Sequence, residues 1–355
     1  MDSETPAPHK ADLTPTPPVH KRRPRYSGKN PRRFDQKYKE SAPEKYPETI
    51  AKVIASGKTP AGTHRPIMVE EILKTLRPQP GGTAADCTLG FGGHARELLA
   101  RIQPGGRLIG LDADPLELPR TEARLRELGF GPETFTAHRS NFAGLPKVLA
   151  AEGLVEGVDM ILADLGVSSM QLDDPERGFS VKAEGPLDMR MNPRRGQPAS
   201  VLLEKIGAEA LAALFTENAD EPHAEVLAHA LAGGMFATTL ALGAALRKTL
   251  AHRPEAEVAL SIRRVFQALR IAVNEEFTAL ETFLRTLPAC LRPGGRVALL
   301  TFHSGEDRRV KKALEAGWRE GVYVEIAREV IRPSPEECRS NLRSTPAKLR
   351  WAVRA

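Results

Sequence analysis

The spacing of apolar residues changes near residue 64. Beyond that point, short apolar runs alternate with stretches in which apolar residues recur at helical spacing, a pattern typical of a parallel sheet with crossover helices. We therefore predict an α/β fold. The predicted strands are residues 83–89, Arg107–Asp112, 135–138, Val158–Asp164, 296–302, 322–330 and 347–353, and the first two predicted helices span 94–102 and begin near Pro115.

A long helical segment interrupts the predicted sheet. After a polar loop that reaches about Pro198, a segment of roughly eighty residues rich in Ala, Leu and Glu carries no strand pattern. We interpret it as an inserted helical domain. The predicted organisation is an extension at 1–60, a first core segment at 61–180, an insertion at 181–275 and a second core segment at 276–355.

Residues 226–246 contain no Asp, Glu, Lys or Arg and are long enough to be considered as a membrane span. They are mainly Ala, Gly and Thr, and Gly233 and Gly234 divide them into two pieces of ordinary helix length. We predict two helices joined by a turn, and no membrane segment.

Composition narrows the class of protein. With 355 residues, 41% of them hydrophobic, the chain can bury a substantial core. Its cysteines, Cys87, Cys290 and Cys338, are far apart and form no paired motif, so we expect neither disulfides nor a metal site. The absence of paired cysteines fits a reducing, cytoplasmic setting. The N-terminus is polar and basic and lacks an apolar segment, which argues against a secretory signal.

Positive charge is concentrated near the N-terminus. The formal net charge is +6, and basic residues cluster at 21–25 and 29–33, near Tyr26 and Phe34. Such a segment suits contacts with nucleic-acid phosphates and bases, and a solvated tail has the same composition. We predict that residues 1–60 are a basic, Pro-rich, mostly disordered extension, and both interpretations of its charge stay open.

A glycine-rich turn follows the first predicted strand. Gly90, Gly92 and Gly93 lie where this strand gives way to a helix, so the backbone there can approach a ligand closely. Asp112 closes the next strand, where a carboxylate can accept both hydroxyls of a ribose. These residues predict an adenosine-type ligand at the carboxyl edge of the sheet.

The glycine turn is compatible with two classes of adenosine ligand. The spacing from Gly90 to Ala95 also fits the dinucleotide fingerprint, which leaves a nicotinamide-dependent oxidoreductase as an alternative. Asp86, just before the glycines, favours S-adenosylmethionine, and no later segment suggests a nicotinamide site.

A long polar segment follows Asp164. Because it leaves the carboxyl end of a central strand, it should overhang the ligand crevice. With this segment the chain closely resembles the ribosomal RNA small subunit methyltransferase H family, also called MraW. The resemblance runs over about residues 64–355 and rests on motifs at 64–68, 92–94, 111–115, 164–191, 266–274, 302–308 and 347–350.

The resemblance implies a class I Rossmann-like methyltransferase core, a mostly parallel twisted sheet flanked by helices, with an inserted helical domain. It implies methyl transfer from S-adenosylmethionine to the exocyclic N4 of a cytidine in the decoding region of small-subunit (16S) ribosomal RNA, within the ribosomal subunit. No metal is needed. Carried over by position, the residues expected to contact the donor are Gly92, Gly93, His94, Asp112, Phe142, Asp164 and Gln171.

Two positions are candidates for the transfer step. The cytosine amino group is a poor nucleophile because its lone pair is delocalised into the ring, so an acceptor for its N–H would help. Asp164 is our candidate acceptor, or else it serves only the donor; amino-directed methyltransferases often carry two prolines where Leu165 and Gly166 follow here. His303, together with Ser304, is expected to line the target-base pocket, with an ordinary strand-terminal role as the alternative.

Two short stretches and one single residue depart from the family pattern. Residues 215–220 replace a Tyr-Gly-Glu-Glu stretch, residues 260–262 replace His-Pro-Ala, and Gly305 replaces the Leu of Phe-His-Ser-Leu-Glu-Asp. All three lie outside the donor-binding motifs. They leave open a non-catalytic RNA-binding or assembly factor with the same fold.

Overall fold

The computed structural model describes residues 66–355, in which seven strands form one sheet. The predicted extension at 1–60 and the start of the first core segment lie outside the described residues. The strands are β1 (Thr83–Asp86), β2 (Arg107–Asp112), β3 (Phe135–Arg139), β4 (Val158–Asp164), β5 (Leu291–Thr301), β6 (Tyr323–Ile326) and β7 (Lys348–Arg354).

The order across the sheet is β3-β2-β1-β4-β5-β7-β6. The pairings among β1 to β5 are parallel, whereas β7 pairs antiparallel with β5 and β6. The strand order reverses between β1 and β4, and in open α/β sheets a crevice forms above the carboxyl ends of the strands at such a reversal. This topology fixes the edge at which a ligand binds.

Helices precede, connect and interrupt the strands. They are α1 (Val69–Leu76), α2 (Gly93–Ile102), α3 (Leu118–Glu127), α4 (Leu145–Ala151), α5 (Ser169–Asp173), α6 (Ala199–Lys205), α7 (Ala208–Ala219), α8 (Ala224–Leu231), α9 (Thr239–Thr249), α10 (Glu255–Val273), α11 (Glu276–Thr286), α12 (Ser304–Arg319) and α13 (Pro335–Ser340).

Both faces of the sheet are covered by helices. Alternate residues of β4 show this: Met160 and Leu162 belong to the apolar cluster with α1, α2 and α3, whereas Ile161 and Ala163 belong to the cluster with α4, α11 and α12. A strand buried on both faces needs a continuous apolar run instead of an alternating one. The composition of β4 therefore follows from its central place.

Two of the seven predicted strands have their predicted bounds, and the other five differ by one or more residues at an end. Arg107–Asp112 and Val158–Asp164 are confirmed. The first strand ends at Asp86, because the chain there leaves the sheet for the glycine turn. The strand predicted at 296–302 begins earlier, at Leu291, and the register of its pairing with β4 shifts between Leu291 and Arg296.

Local hydrogen bonds explain two further differences. The helix predicted from near Pro115 begins at Leu118, because the Asp114 carboxylate accepts the Leu116 N–H (2.9 Å) and holds a turn there. The polar loop expected to run to about Pro198 contains the short helix α5. Side-chain contacts with the backbone set these boundaries.

The inserted segment forms a helical unit with its own apolar core, whose buried residues run from Phe179 to Leu269. The two helices predicted within 226–246 are confirmed as α8 and α9, with a turn at Gly233 (φ 71°) between them. In the described part of the chain, no helix is both long enough and apolar enough to cross a membrane.

The two connections between the insertion and the core lie side by side. Asn274 accepts the Met191 N–H through Oδ1 and donates through Nδ2 to the Met189 carbonyl, both at 2.7 Å. Four residues before it, Arg270 donates to both carboxylate oxygens of Glu276 at 2.8 Å. The base of the insertion is therefore held together by side-chain hydrogen bonds.

Candidate active site

A deep cleft opens at the carboxyl ends of β1, β2 and β4. Its volume of about 1370 Å³ exceeds the roughly 300–1,000 Å³ of ordinary small-molecule pockets. Residues of the core line one side, and residues of the insertion, including Asn192, Arg195 and Arg263, line the other. The cleft therefore has room for a nucleoside ligand and for a second substrate.

The glycine turn borders this cleft. Gly90 and Gly92 have φ values of 48° and 81°, which glycine adopts without strain. A Cβ on Gly92 would lie 2.9 Å from the Thr121 side chain, so close packing also requires glycine there. Gly93 and His94 line the cleft where α2 begins, and the first backbone N–H groups of a helix lack intrahelical acceptors. This helix start is suited to a polar ligand group.

Asp112 closes β2 at the cleft. Its Oδ2 accepts the Gly90 N–H (2.7 Å), and its Oδ1 accepts the Asp114 N–H (2.8 Å). Burial raises its pKa to about 6, against these two hydrogen bonds, which favour the ionised form. Because a carboxylate oxygen can accept more than one hydrogen bond, Asp112 keeps acceptor capacity for ribose hydroxyls.

Asp164 closes β4 at the same edge and lines the cleft. Its backbone N–H donates to Thr88 Oγ1 (2.6 Å), which joins the ends of β4 and β1. Burial raises its pKa to about 7, and the negative charge of Glu306 contributes. Near neutral pH the carboxyl group is therefore divided between its two forms, and either form can accept a hydrogen bond.

The His94 ring contacts two neighbours. A carbonyl only accepts, so Nε2, 2.9 Å from the Ile67 oxygen, carries the proton. Burial lowers the pKa of His94, although nearby Asp86 opposes this, so the ring is neutral. Its Nδ1 is then an acceptor that lies 3.7 Å from Asp164 Oδ2. A proton on Asp164 relieves the repulsion between these two atoms.

Gln171 also lines the cleft, but both ends of its amide bind within the protein. Its Oε1 accepts the Ser168 N–H, and Ser168 Oγ accepts the Gln171 N–H, a capping box that begins α5. Its Nε2 donates to Asp114 Oδ2 (2.9 Å), to which Arg177 also donates (2.8 Å). The structure thus gives Gln171 a part in holding this loop, and its donor contact stays a prediction.

Phe142 lines the cleft from a single 3-10 turn, Phe142–Gly144. Its ring packs against Phe283, with centroids 5.5 Å apart and planes tilted by 59°. The ring therefore joins the core to the cleft, and it offers an apolar surface to a base.

Asp86 does not line the cleft. It is 1% exposed, and its Oδ1 accepts the Thr88 N–H at 3.1 Å. Burial raises its pKa to about 6, and the nearby His94 opposes this rise. Asp86 therefore acts on a ligand only through its electrostatic effect on neighbours such as His94 and Asp164.

The structure does not bring His303 to the cleft. Its side chain is 11% exposed, and its ring centroid lies 5.9 Å from that of Phe277. Its Nδ1 accepts the Glu306 N–H (3.4 Å) at the start of α12. Glu306 lines the cleft and His303 does not. We expected His303 to face the cleft. Glu306 faces it instead, and His303 lies behind Glu306.

Glu306 is a candidate that sequence reasoning did not single out. In the sequence analysis, Glu306 was only one of the residues in the motif at 302–308. Its signal is an acid in the first turn of a helix that starts directly after a sheet strand, since that turn lies at the carboxyl edge of the sheet. The same pattern is typical of ordinary helix capping, so spacing alone did not distinguish the two roles.

Two of the departures from the family pattern lie at contacts of the insertion. Asp220 accepts hydrogen bonds from Ser304 Oγ (3.1 Å) and Arg308 (3.0 Å) of the core. Ser261 donates to Glu221 at 2.8 Å within the insertion. None of these groups lines the cleft. The substitutions therefore alter how the insertion is supported and leave the residues that face a ligand unchanged.

The reversal of strand order, the cleft above it and the carboxylate that closes β2 define the class: a Rossmann-like α/β protein that binds a nucleoside-containing ligand. Comparison of sequences then identifies the family. A profile of the MraW methylase family matches residues 61–355, and the chain belongs to this family. Membership in a methylase family decides against the nicotinamide-dependent oxidoreductase.

Three relatives illustrate the similarity. The chain is 48% identical to "ribosomal RNA small subunit methyltransferase H 1" of Agathobacter rectalis over 345 residues, 95% of this chain and 98% of the relative. It is 49% identical to the protein of the same name in Lachnoclostridium phytofermentans (95% and 94% covered). It is 40% identical to "ribosomal RNA small subunit methyltransferase H" of Halorhodospira halophila (84% and 90% covered).

The family match agrees with the extent that the motifs predicted, and two relatives match beyond it. The sequence motifs placed the resemblance at about 64–355, which excluded the basic extension. Residues 61–355 make up about five sixths of the chain, so a match that covers 95% of it extends into the first sixty residues. Part of the extension is therefore shared with these two relatives.

Proposed function

We propose that this protein transfers a methyl group from S-adenosylmethionine to the exocyclic N4 of a cytidine in the decoding region of small-subunit (16S) ribosomal RNA. The observation that carries the proposal is the position of Asp164, which closes β4 within a cleft shared by the core and the insertion of a methylase-family fold. The names of the relatives support ribosomal RNA as the substrate.

S-adenosylmethionine is the methyl donor, and the groups around the cleft fit it. Asp112 retains acceptor capacity for ribose hydroxyls, and Phe142 offers apolar surface to adenine. Burial raises the pKa of both Asp112 and Asp164, and a bound sulfonium cation would favour their ionised forms. Gly92, Gly93, His94 and Gln171 complete the proposed donor-binding set.

The residues of the chain align the reactants and receive a proton. When bound, S-adenosylmethionine supplies the methyl group: its carbon–sulfur bond breaks with the electron pair on sulfur as the N4 lone pair forms the new bond. Alignment of two reactants is itself a large contribution to rate. The N4 nitrogen must lose one proton, and ionised Asp164, with a pKa of about 7, is suited to accept it.

The insertion supplies the wall that faces the RNA. Arg195 and Arg263 line the cleft and are exposed to solvent. Such cations suit phosphate contacts, while the target cytidine must be unpaired or turned outward to reach the donor. The proposed partner is small-subunit ribosomal RNA within the ribosomal subunit, and the proposed location is the cytoplasm, where that RNA is found.

The test is nucleoside mass spectrometry of small-subunit ribosomal RNA from cells that lack the gene. We expect N4-methylated cytidine to disappear, to return with the wild-type chain and to stay absent with Asp164→Ala, which removes the acceptor. The matched control is Asp159→Asn, a change in an aspartate at the opposite end of β4, which should restore the nucleoside.

Each outcome separates the alternatives. An unchanged level of N4-methylated cytidine in the deletion strain would contradict the proposed substrate. If the deletion strain loses the nucleoside and Asp164→Ala restores it as fully as the wild-type chain does, Asp164 has no part in the mechanism. A purified chain that binds S-adenosylmethionine and RNA but transfers no methyl group would support the non-catalytic assembly factor.

A further inference from the structure

Glu306 is a buried carboxylate in the wall of the cleft. It lies in the first turn of α12, its side chain is 4% exposed, and it is one of the lining residues. Its Oε2 accepts the backbone N–H of Phe302 at 2.8 Å. This hydrogen bond fixes one carboxylate oxygen, so the position of Oε1 is fixed as well.

The surroundings of Glu306 keep it ionised. Burial opposes ionisation, but the contacts with His303, Arg270 and the Phe302 N–H outweigh burial and lower its pKa. Since Nδ1 of His303 accepts a hydrogen bond, Nε2 carries the proton, and it lies 3.2 Å from Oε1. A carboxylate oxygen can accept more than one hydrogen bond, so Oε1 keeps acceptor capacity for a group in the cleft.

The residue next to Oε1 has no side chain. A Cβ on Gly166 would lie 3.9 Å from Glu306 Oε1 and 3.9 Å from the Phe302 ring. Gly166 has a φ of 95°, and it follows Asp164 by two residues. Asp164 is close enough for the charge of Glu306 to raise its pKa. The cleft thus presents two carboxyl groups beside an open stretch of backbone.

We infer that Glu306 is the second hydrogen-bond acceptor for the exocyclic amino group of the target base, and that Asp164 and Glu306 together distinguish cytosine from uracil. The inference rests on the proposed function. A cytosine amino group carries two N–H donors, and a desolvated donor needs an acceptor. Asp164 accepts one N–H and Glu306 the other. Uracil carries a carbonyl oxygen at this position, which would face acceptors alone.

The decisive variant is Glu306→Gln in the full chain. The Phe302 N–H selects the amide oxygen of glutamine as its acceptor, so the amide NH₂ takes the place of Oε1 in the cleft. An acceptor becomes a donor without a change in side-chain size. We expect kcat/KM for methyl transfer to small-subunit RNA to fall about 30-fold or more, as for loss of one hydrogen bond to a charged group.

A second readout measures the choice of base. The inhibitor is small-subunit RNA with uridine at the mapped position of methylation, competing against the cytidine RNA. The wild-type chain should bind the uridine RNA more weakly than the cytidine RNA, and Glu306→Gln should narrow or invert this difference. The Kd for S-adenosylmethionine should change less than twofold, and the melting temperature should show that the variant is folded.

The control is Glu315→Gln, which removes the same charge from a half-exposed position of α12 away from the cleft and should leave both readouts unchanged. A Glu306→Gln variant with wild-type kcat/KM and wild-type base preference would overturn the inference and leave Glu306 as an anchor for Phe302. A wild-type chain that transfers no methyl group to cytidine would overturn the proposed function, and the inference with it.

Discussion

At the scale of single residues, the site is dominated by buried acids. Asp86, Asp112 and Asp164 all lie near the carboxyl edge of the sheet, and burial raises the pKa of each. Without a cation nearby, their ionised forms are poorly solvated. A cationic donor would compensate part of that cost, so the same groups that destabilise the empty fold favour the ligand that we propose.

Asp86 allows this cost to be measured. Its pKa in the folded chain is about 6, above the ordinary 3.8. The folded state therefore holds the proton more tightly than the unfolded state, so the stability that Asp86 contributes is full below about pH 4 and is lost as the pH rises to about 6. Asp86→Asn should raise the free energy of unfolding at pH 8 by up to about 3 kcal/mol, and by clearly less at pH 4.5.

Chemical denaturation of the donor-free chain at the two pH values is the measurement. Asparagine can still accept the Thr88 N–H through its amide oxygen. The control is Asp159→Asn, in which a partly exposed aspartate also accepts one backbone N–H, that of Thr83. If Asp86→Asn raised the free energy of unfolding equally at both pH values, the raised pKa of Asp86 would not be the cause of the gain.

The sequence located the strand-end residues well and the helix-borne ones less well. Asp112 and Asp164 were predicted at one edge of the sheet because parallel strands end together, and the structure places both in the cleft. Whether His303 or Glu306 faces that cleft depends on how α12 starts, and on the Phe302 N–H that holds Glu306. The spacing of residues in the sequence does not predict that hydrogen bond.

Gly305 shows the same dependence on a distant neighbour. A Cβ there would lie 2.6 Å from the Phe277 ring. The leucine of the family pattern would not fit against this ring, so the glycine is explained by its partner on α11. From the sequence alone it was only a departure of unknown consequence.

At the scale of elements, the segment after β4 is held by one buried acid. Asp114, 2% exposed, accepts hydrogen bonds from Gln171 at 2.9 Å and from Arg177 at 2.8 Å. Arg177 also donates to the carbonyl of Met191 at 2.8 Å. These contacts join the loop after β2, the segment around α5 and the entrance of the insertion.

Removal of Arg177 should detach this segment. Arg177→Met leaves Asp114 buried without its cationic partner, which should lower the free energy of unfolding by about 3 kcal/mol and weaken S-adenosylmethionine binding. The matched change is Arg308→Met, whose partner Asp220 is half exposed; it should cost less than about 1 kcal/mol. Denaturant titration measures the free energy of unfolding, and calorimetry measures S-adenosylmethionine binding. Equal losses of stability in the two variants would contradict the special role of the Arg177–Asp114 pair.

Element types were easier to predict than element ends. The apolar runs of β2 and β4 set their bounds directly, because burial on both faces requires such runs. The early start of β5 depends instead on its pairing with β4, whose register shifts there. The short helix α5 depends on the capping box between Ser168 and Gln171. Periodicity along the chain carries no information about those contacts.

At the scale of the whole molecule, the core and the insertion share one cleft. The proposed donor-binding groups come from the core, whereas Arg195 and Arg263, which also line the cleft, come from the insertion. The basic extension adds charge at 21–25 and 29–33, outside the described residues. Part of the extension is shared with two relatives, and contact with RNA phosphates is one of the two open interpretations of its charge.

Deletion of residues 1–60 tests that role. We expect lower RNA affinity and a shallower dependence of the binding constant on salt, because fewer counterions are released from the RNA. Binding of S-adenosylmethionine should be unchanged. A full-length control with Lys21, Arg22, Arg23 and Arg25 changed to Gln should reproduce the effect, and filter binding over a salt series measures it. An unaltered salt slope in both variants would rule out the RNA contact.

The side-by-side connections at Asn274 bear on how such a protein could arise. A segment whose entry and exit are neighbours can be added to, or lost from, an existing fold without moving the strands on either side. Natural selection can then alter the insertion with little effect on the donor-binding edge. We expect descendants of a common ancestor to keep the acids at the ends of β2 and β4 while their insertions diverge in length and charge.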